Sequence, residues 1–388
     1  MFATAIFIFI KDMKLHIYKN QTALRCGYTT GSCATAAAQA AAIYLLTGRL
    51  PTCIELDTPK GIRLSLYPQD ARLEPNAAEC GIVKDSGDDP DVTNGIVIYA
   101  KVTCISNGIE ITGGQGIGVV TKPGLSVPVG QAAINPAPRA QIKEALRKVA
   151  HENGYTGGFA VTIFAPQGEQ IAKRTYNAHL GIINGISILG TSGIVEPMSE
   201  TALIKTIHLE MDSLYMAGER KILLCPGNYG TDFAKNTLGL ELEKAVKCSN
   251  FIGEALDYAV WRGFKQIFLV GHAGKLVKIA AGVMNTHSAV ADGRQEIFTA
   301  HAALYGARQE ILQALMCATT VDACLAILDC VGLREPVLQS VGRAIEQKLQ
   351  HRVHEKVQIE YLMFTNQSGI LAQSQNAAQF CEKFRGIL

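Results

Sequence analysis

A charge excess is the first thing this sequence lacks. Its 388 residues carry 36 Lys and Arg against 34 Asp and Glu, a net charge of +2. Nucleic-acid binding favours a strong basic excess, so no nucleic-acid partner is expected. Local basic clusters can still take an acidic small molecule. Paired cysteines are missing as well. The 11 cysteines are odd in number and scattered, and no CxxC occurs. That pattern fits free thiols in a reducing cytosol, not a disulfide framework or a zinc site. No apolar run approaches membrane-spanning length. Residues 1–10, MFATAIFIFI, are too short to cross a bilayer. They have neither the charged start nor the small-residue cleavage site of a secretory signal. No GxSxG elbow and no HExxH helix is present, and no Cys sits in a nucleophile motif. The expectation is a cytoplasmic protein with no membrane association and no metal of its own.

What is present is an apolar, low-charge chain, 48% hydrophobic and 18% charged, which marks a globular fold. It is too long for one ordinary core, so two domains are expected. Residues 1–23 read as an extended or poorly ordered N-terminus, with Met13 close behind the apolar opening. Residues 24–175 mix strands and helices, an α+β domain. In GYTTGSCATAAAQAAAIYLLTG, Thr30 or Ser32 is the expected N-cap and Gly48 the C-cap. Residues 53–57 and 62–66 predict a hairpin around 58–61. Residues 96–103 and 109–112 predict strands turned by Asn107-Gly108. Pro138 predicts a helix starting near Arg139 and ending at Asn153-Gly154. A further strand pair brackets 165–168.

Residues 176–330 change character. Buried strands at 186–189, 221–225 and 267–270 are each followed by a glycine-bearing loop and a helix. Repeated units of this kind imply a parallel sheet with helices on its faces, a Rossmann-like α/β domain. Ligands bind beyond the carboxyl ends of such strands. The loops GTSGIVEPMS, PGNYG and GHAGK therefore define one candidate crevice. Residues 331–388 hold a helix near 337–349 and strand-like pieces at 357–364 and 370–372, whose placement stays open.

The most informative stretch is 266–278, QIFLVGHAGKLVK. An apolar strand stops at Gly271, and Lys275 and Lys278 open a helix that runs to about 285. Cations there oppose the helix dipole, which makes sense if an anion sits between them and free backbone amides. Two solvated lysines on an amphipathic helix are the plain alternative. A Walker loop is excluded, because the spacing is short and Leu276 stands where Ser or Thr must bind magnesium. Thr29, Thr30 and Ser32 read either as simple caps or as an amide-and-hydroxyl pocket for an acidic group. GGQGIG at 113–118 departs from the dinucleotide fingerprint and reads as a flexible loop that approaches a ligand. Asp85, Asp88, Asp89 and Asp91 read as a solvated turn. His287 is either a general acid or base or a satisfied helix-end histidine. Arg294 can clamp a carboxylate. Residues 173–199, with Lys173, Arg174, Asn177, His179 and Glu196, are denser in small and polar residues than packing explains. The residues alone thus point to an α/β enzyme with a crevice for a polyanionic ligand.

Seven segments carry a resemblance: GYTTGSCATAAAQAA, DDPDVTNG, GGQGIGVVTKPGL, AINPAPR, TYNAHLGIINGISILGTSGIVEPMSE, LCPGNYG and VGHAGKLVKIAAGVMNTHSAVADGR. In this order, over about residues 24–300, they resemble the cobalt-precorrin-5B C(1)-methyltransferases, the CbiD family of anaerobic cobalamin biosynthesis. The resemblance implies an α+β N-terminal domain followed by a Rossmann-like α/β domain with a mainly parallel sheet. It also implies methyl transfer from S-adenosylmethionine to ring carbon C-1 of cobalt-precorrin-5B, giving cobalt-precorrin-6A, with the cobalt carried by the substrate. Against that chemistry, the candidates to hold the donor are Gly190, Thr191, Ser192, Gly193, Glu196, Gly227, Asn228, Tyr229, Asp232, Gly271 and His272. The candidates to hold the acetate and propionate arms are Thr29, Thr30, Ser32, Lys122, Arg139, Lys275, Lys278 and Arg294. His287 and Asp292 are the catalytic candidates. Asn94 stands where the family often has histidine, and Ala273 where it often has proline, which puts a catalytic role at position 94 in doubt. A phosphate-dependent enzyme using GHAGK, or a tetrapyrrole carrier without catalysis, are the other readings. A homo-oligomer, or transient contact with neighbouring pathway enzymes, stays open.

Overall fold

A computed structural model describes residues 15–19, 21–178 and 180–385. Residues 1–14 and His179, on which expectations were placed, lie outside the described residues. The chain divides into two compact units, Met1–Ser199 and Glu200–Leu388.

Within the stretch expected to be extended or poorly ordered, the described residues form a hairpin, β1 (His16–Lys19) against β2 (Thr22–Arg25). Helix α1 (Thr30–Thr47) begins one residue earlier than the caps suggested. Thr29 is the N-cap and accepts from the Ser32 amide, while Gly48 closes the helix at φ 68°. Its seven alanines from Ala34 to Ala42 are fully buried. Side chains this small let the helix backbone come close to its neighbours.

The sheet of this unit comprises β3 (Gln69–Glu74), β4 (Ala77–Val83), β5 (Val97–Ile105), β6 (Ile109–Gly113) and β7 (Gly158–Phe164), in the order β3-β4-β5-β7-β6. The strands flanking Asn107-Gly108 exist but do not pair. Strand β7 enters between them, with Phe159 opposite Cys104 on one side and Ile109 on the other. Glycine permits the insertion, because a Cβ on Gly158 would stand 2.2 Å from the Gly108 carbonyl oxygen. Helix α2 (Pro136–Glu152) starts three residues before Arg139. Pro136 and Pro138 both fall in its first turn, where no amide hydrogen is needed. The hairpin around 58–61 forms as expected. After Gly168 the chain makes a short helix, Gly168–Ala172, in place of a second strand.

Residues 176–199 belong to this first unit, not to the second. The expected strand at 186–189 makes only isolated bridges, Ile186 with Ile117 and Ile188 with Ile134. Local bonds claim the segment: Asn177 donates to the Gly185 carbonyl at 3.0 Å and accepts from the Ser187 hydroxyl.

The second unit runs α3 (Glu200–Met216), β8 (Lys221–Cys225), α4 (Asn228–Asn236), β9 (Ala245–Lys247), α5 (Ile252–Arg262) and β10 (Gln266–His272), then four helices. These are α6 (Arg294–Leu304), α7 (Gln309–Cys317), α8 (Val321–Cys330) and α9 (Arg334–Val353). Strands β11 (Gln358–Thr365) and β12 (Gly369–Gln373) and helix α10 (Ala377–Phe384) end it. The sheet order is β9-β8-β10-β11-β12, parallel except for β12. The tail that had no assigned place thus supplies two of five strands, β11 pairing with β10 from Gln266–Gln358 to His272–Phe364. Ile267, Leu269, Ile359 and Tyr361 face one helical layer; Leu223, Phe268, Val270 and Phe364 face the other. Burial on both faces is why these strands read as unbroken apolar runs. The helix expected to reach 285 is one α-turn, Ala273–Leu276, followed by a 3-10 stretch, Val277–Ala281, which Gly282 ends at φ 82°.

Candidate functional site

Three loops lie at the carboxyl ends of β8, β9 and β10. Gly227, at φ 91°, is the N-cap residue of α4 and offers no side chain to its first amides. Lys275 is half-buried beneath it; a Cβ at Gly227 would lie 3.1 Å from the Lys275 ammonium. That ammonium donates to the Ser249 carbonyl oxygen at 3.1 Å, and no carboxylate pairs with it among the described residues. Burial lowers the Lys275 pKa, with Cys248 opposing and Lys278 adding to the shift. Lys247, at the tip of edge strand β9, donates to Asn228 Oδ1 at 2.8 Å.

His272 closes β10. Its Nδ1 accepts from the Gly274 amide at 3.1 Å, so the neutral ring carries its proton on Nε2. Burial pulls its pKa down, while the charge of Asp322 pulls the other way. Tyr229, 63% exposed, holds its ring 5.7 Å from the imidazole, and Phe364 meets the same ring edge-on at 5.6 Å. Asp322 keeps one buried oxygen, Oδ1, without a hydrogen-bond partner. These groups can receive an anionic group on Lys275 and the α4 amides, beside an aromatic surface.

The other sequence candidates are placed differently. Lys278 is 3% exposed and donates to the carbonyl oxygens of Thr286 and Ala291, so it pins the 286–292 loop from inside instead of facing a ligand. Arg294 is engaged with Asp292 in a two-bond ion pair at 2.5 and 2.7 Å. That pairing holds the Asp292 carboxyl below its ordinary value and leaves it a poor proton acceptor. His287 is exposed, its Nδ1 occupied by the Ala289 amide. Arg139 donates to the Ile134 and Ile111 carbonyls, and burial lowers its pKa. Lys122 is exposed and has no polar partner among the described residues. Asp232 is exposed.

The pocket expected at GYTTGS is filled by protein. Thr30 Oγ1 bonds the Ser187 and Leu189 carbonyls, Ser32 Oγ donates to the Gly193 carbonyl, and the Thr29 and Gly31 amides donate to the Gly193 and Leu189 carbonyls. Gly190 to Gly193 therefore serve as the lock on the start of α1. A Cβ on Gly190 would stand 2.3 Å from Thr29 Oγ1. Thr191 is exposed in that loop, Ser192 Oγ donates to the Ile194 carbonyl, and Glu196 pairs with Lys60. None of these is on the parallel sheet, so the three-loop crevice reduces to the two loops at 227–229 and 271–275, joined by Ser249. Nor is GGQGIG a flexible ligand loop. A Cβ on Gly116 would lie 1.9 Å from the Ala165 carbonyl oxygen, and one on Gly185 would lie 2.3 Å from that of Gly116. These glycines let three chain segments cross in contact.

The acidic run is a knot of assigned partners, not a solvated turn. Lys84, 2% exposed, bonds Ser86 and pairs with Asp91 at 2.7 Å. Asp85 pairs with Arg25, Asp88 accepts the Arg25 amide, Asp89 accepts the Met198 amide, and Asn94 accepts the Ser86 amide. Among the described residues no group of three His, Cys, Asp or Glu could hold a metal ion, and no helix is long and apolar enough to cross a membrane.

Sequence reasoning missed Lys247, whose ammonium bonds Asn228 at the start of α4. A cleft of about 320 Å³ between α9 and β11–β12, lined by Leu338, Gly342, Arg343 and Tyr361 among others, includes no sequence candidate.

A parallel sheet with cation-bearing loops at its strand tips is the architecture of enzymes that bind small anionic ligands there. Comparison with known proteins narrows the class. The CbiD family model matches residues 17–197, and the model for the CbiD C-terminal domain matches 285–375. The cobalt-precorrin-5B C(1)-methyltransferase of Ruminiclostridium cellulolyticum is 52% identical over 354 residues, covering 91% of this chain and 92% of that protein. Those of Alkaliphilus oremlandii and a Thermoanaerobacter species are 46% and 44% identical, covering 92% and 93% of this chain and 99% and 98% of theirs. A crystal structure of a cobalamin biosynthesis protein (cbiD) from Archaeoglobus fulgidus is 31% identical, covers 73% of this chain and 88% of that one, and superposes with a TM-score of 0.39. The chain belongs to the CbiD family.

Proposed function

We propose that this chain methylates C-1 of cobalt-precorrin-5B to give cobalt-precorrin-6A, a step of anaerobic cobalamin biosynthesis in the cytoplasm. Its relatives of 44–52% identity bear the name of that activity. S-adenosylmethionine would supply the methyl group as a sulfonium. The residues of the second unit fit such a donor. The half-buried Lys275 ammonium, which no carboxylate pairs with among the described residues, suits the amino-acid carboxylate, and the Gly227 surface leaves room for it. Tyr229 and His272 offer aromatic faces to an adenine ring or a sulfonium.

The macrocycle carbon is the nucleophile, so the protein's task is to hold the two reactants in line. Orientation of this kind can contribute about 7–11 kcal/mol. No covalent nucleophile is required, in keeping with the buried Cys225 and Cys248 thiols, which burial raises to pKa values well above neutrality.

The Lys275 ammonium is the observation that carries this reading. Lys275→Met is expected to weaken S-adenosylhomocysteine binding about tenfold or more, measured calorimetrically, with the melting temperature close to that of the parent. Unchanged affinity would remove Lys275 from the donor site.

A further inference from the structure

We propose that Lys247 is a positioning residue for the strand-end site. Its ammonium fixes the carboxamide oxygen of Asn228, so that Asn228 meets a ligand with N–H groups and not with a carbonyl oxygen. The inference rests on the reading that this loop receives the methyl donor, and it names what sets the hydrogen-bond polarity there.

Strand β9 is the sheet edge, bonded only to β8, and Lys247 is its last residue. The Lys247 ammonium lies 2.8 Å from Asn228 Oδ1. An ammonium can only donate, so it must face the oxygen end of the carboxamide. The two ends of an Asn side chain are otherwise nearly alike in shape, and a free one can turn either end to its surroundings. Held by Lys247, Asn228 has its oxygen occupied and both Nδ2 hydrogens left to donate, with no bond to them among the described residues.

The neighbouring groups are donors too. Gly227 gives no side chain to the first amides of α4, and the Lys275 ammonium lies 3.1 Å from where a Gly227 Cβ would be. An Asn228 turned the other way would set a carbonyl oxygen beside these groups, in competition with the carboxylate of a ligand.

One short segment holds both ammonium groups. Cys248, fully buried, donates its amide to the Cys225 carbonyl at 3.1 Å. Ser249 then turns the chain at φ 51°, in the left-handed region that serine seldom adopts, and its carbonyl oxygen receives the Lys275 ammonium at 3.1 Å. Such a conformation persists where the surrounding structure fixes it. Residues 247–249 thus secure one cation through a side chain and the other through a carbonyl.

The first test needs no ligand. Nitrogen-15 relaxation of the Asn228 side-chain NH2, assigned by its loss in Asn228→Ala, is compared between the parent, Lys247→Met and Lys247→Arg. The carboxamide should be ordered in the parent and in Lys247→Arg, whose guanidinium also only donates, and freed in Lys247→Met. Equal order in the parent and Lys247→Met would overturn the proposal. Calorimetry of S-adenosylhomocysteine follows on the same proteins. Lys247→Met should weaken binding about threefold, the scale of one exposed charge-assisted hydrogen bond, and should have no further effect in an Asn228→Ala background. An effect that persists there would refute the route through Asn228. Asn228→Asp keeps an oxygen for Lys247 but offers no N–H, and should bind about tenfold more weakly or worse; unchanged affinity would refute the donating role of Asn228. Absence of binding to the parent would count against the reading of this loop as the methyl-donor site, while the relaxation result would still decide whether Lys247 fixes Asn228.

Discussion

Lys275 and Lys278 stand three residues apart in one motif and have opposite fates. Lys278 spends its ammonium on two carbonyl oxygens inside the unit, while Lys275 keeps donors directed at the strand-end loops. The lysine that the sequence left unremarked, Lys84, is the most deeply committed of all. Burial pushes Asp91 up, yet the charge and hydrogen bond of Lys84, with the donors of Thr93, outweigh it and hold the carboxyl below its ordinary value. Removing one partner of such a pair strands the other, at a cost of about 3–5 kcal/mol. Lys84→Met is expected to destabilise the first unit by that amount in urea unfolding. The sign of the pH dependence follows from the lowered carboxyl. Its contribution is present above the unfolded-state value of 3.8 and is lost as pH falls through the lower folded one. The parent should therefore lose stability below about pH 4 more steeply than Lys84→Met does.

Among elements, the close crossings of glycine segments govern more than the helices do. Gly116 sits at φ 75° with the Ala165 carbonyl oxygen where a Cβ would be. Gly116→Ala should cost at least about 1–3 kcal/mol from the left-handed backbone alone, with the steric clash added, read as a fall in the urea midpoint. Pattern reasoning saw these glycines and took them for a mobile ligand loop, since a glycine that admits a ligand and one that admits another backbone look alike in one dimension. The hairpin at 54–66, the alanine-rich α1 and the strands β8 and β10 were legible, because period, caps and apolar runs are local signals. The strand order of the first sheet was not, because Asn107-Gly108 is a sound local turn and only β7, fifty residues on, separates its two arms.

At the scale of the molecule, each unit has its own core. The cluster around Ile98 and Ile142 lies wholly in residues 1–199, and the one around Leu269 and Ile345 wholly in 200–388. Multidomain chains need not unfold in one step. Ile98→Ala and Leu269→Ala should each cost about 2–5 kcal/mol, and in calorimetry each should shift a different transition. A single transition that both variants move equally would show that the two cores melt as one.

The sequence by itself determined the class of chain, the apolar strands of the parallel sheet and, through seven ordered motifs, the family, since composition, periodicity and residue identity are properties of the string. Of its candidate residues, Gly227, Asn228, Tyr229, His272 and Lys275 come together at the strand tips, while Thr30, Ser32, Lys278, Asp292 and Arg294 are bonded to the protein itself. Only the tertiary structure decided which polar groups remain to meet a ligand. A hydroxyl, an amide or a charge advertises its capacity to bond, and whether that capacity is already spent depends on which distant carbonyl or carboxylate the fold has brought within 3 Å.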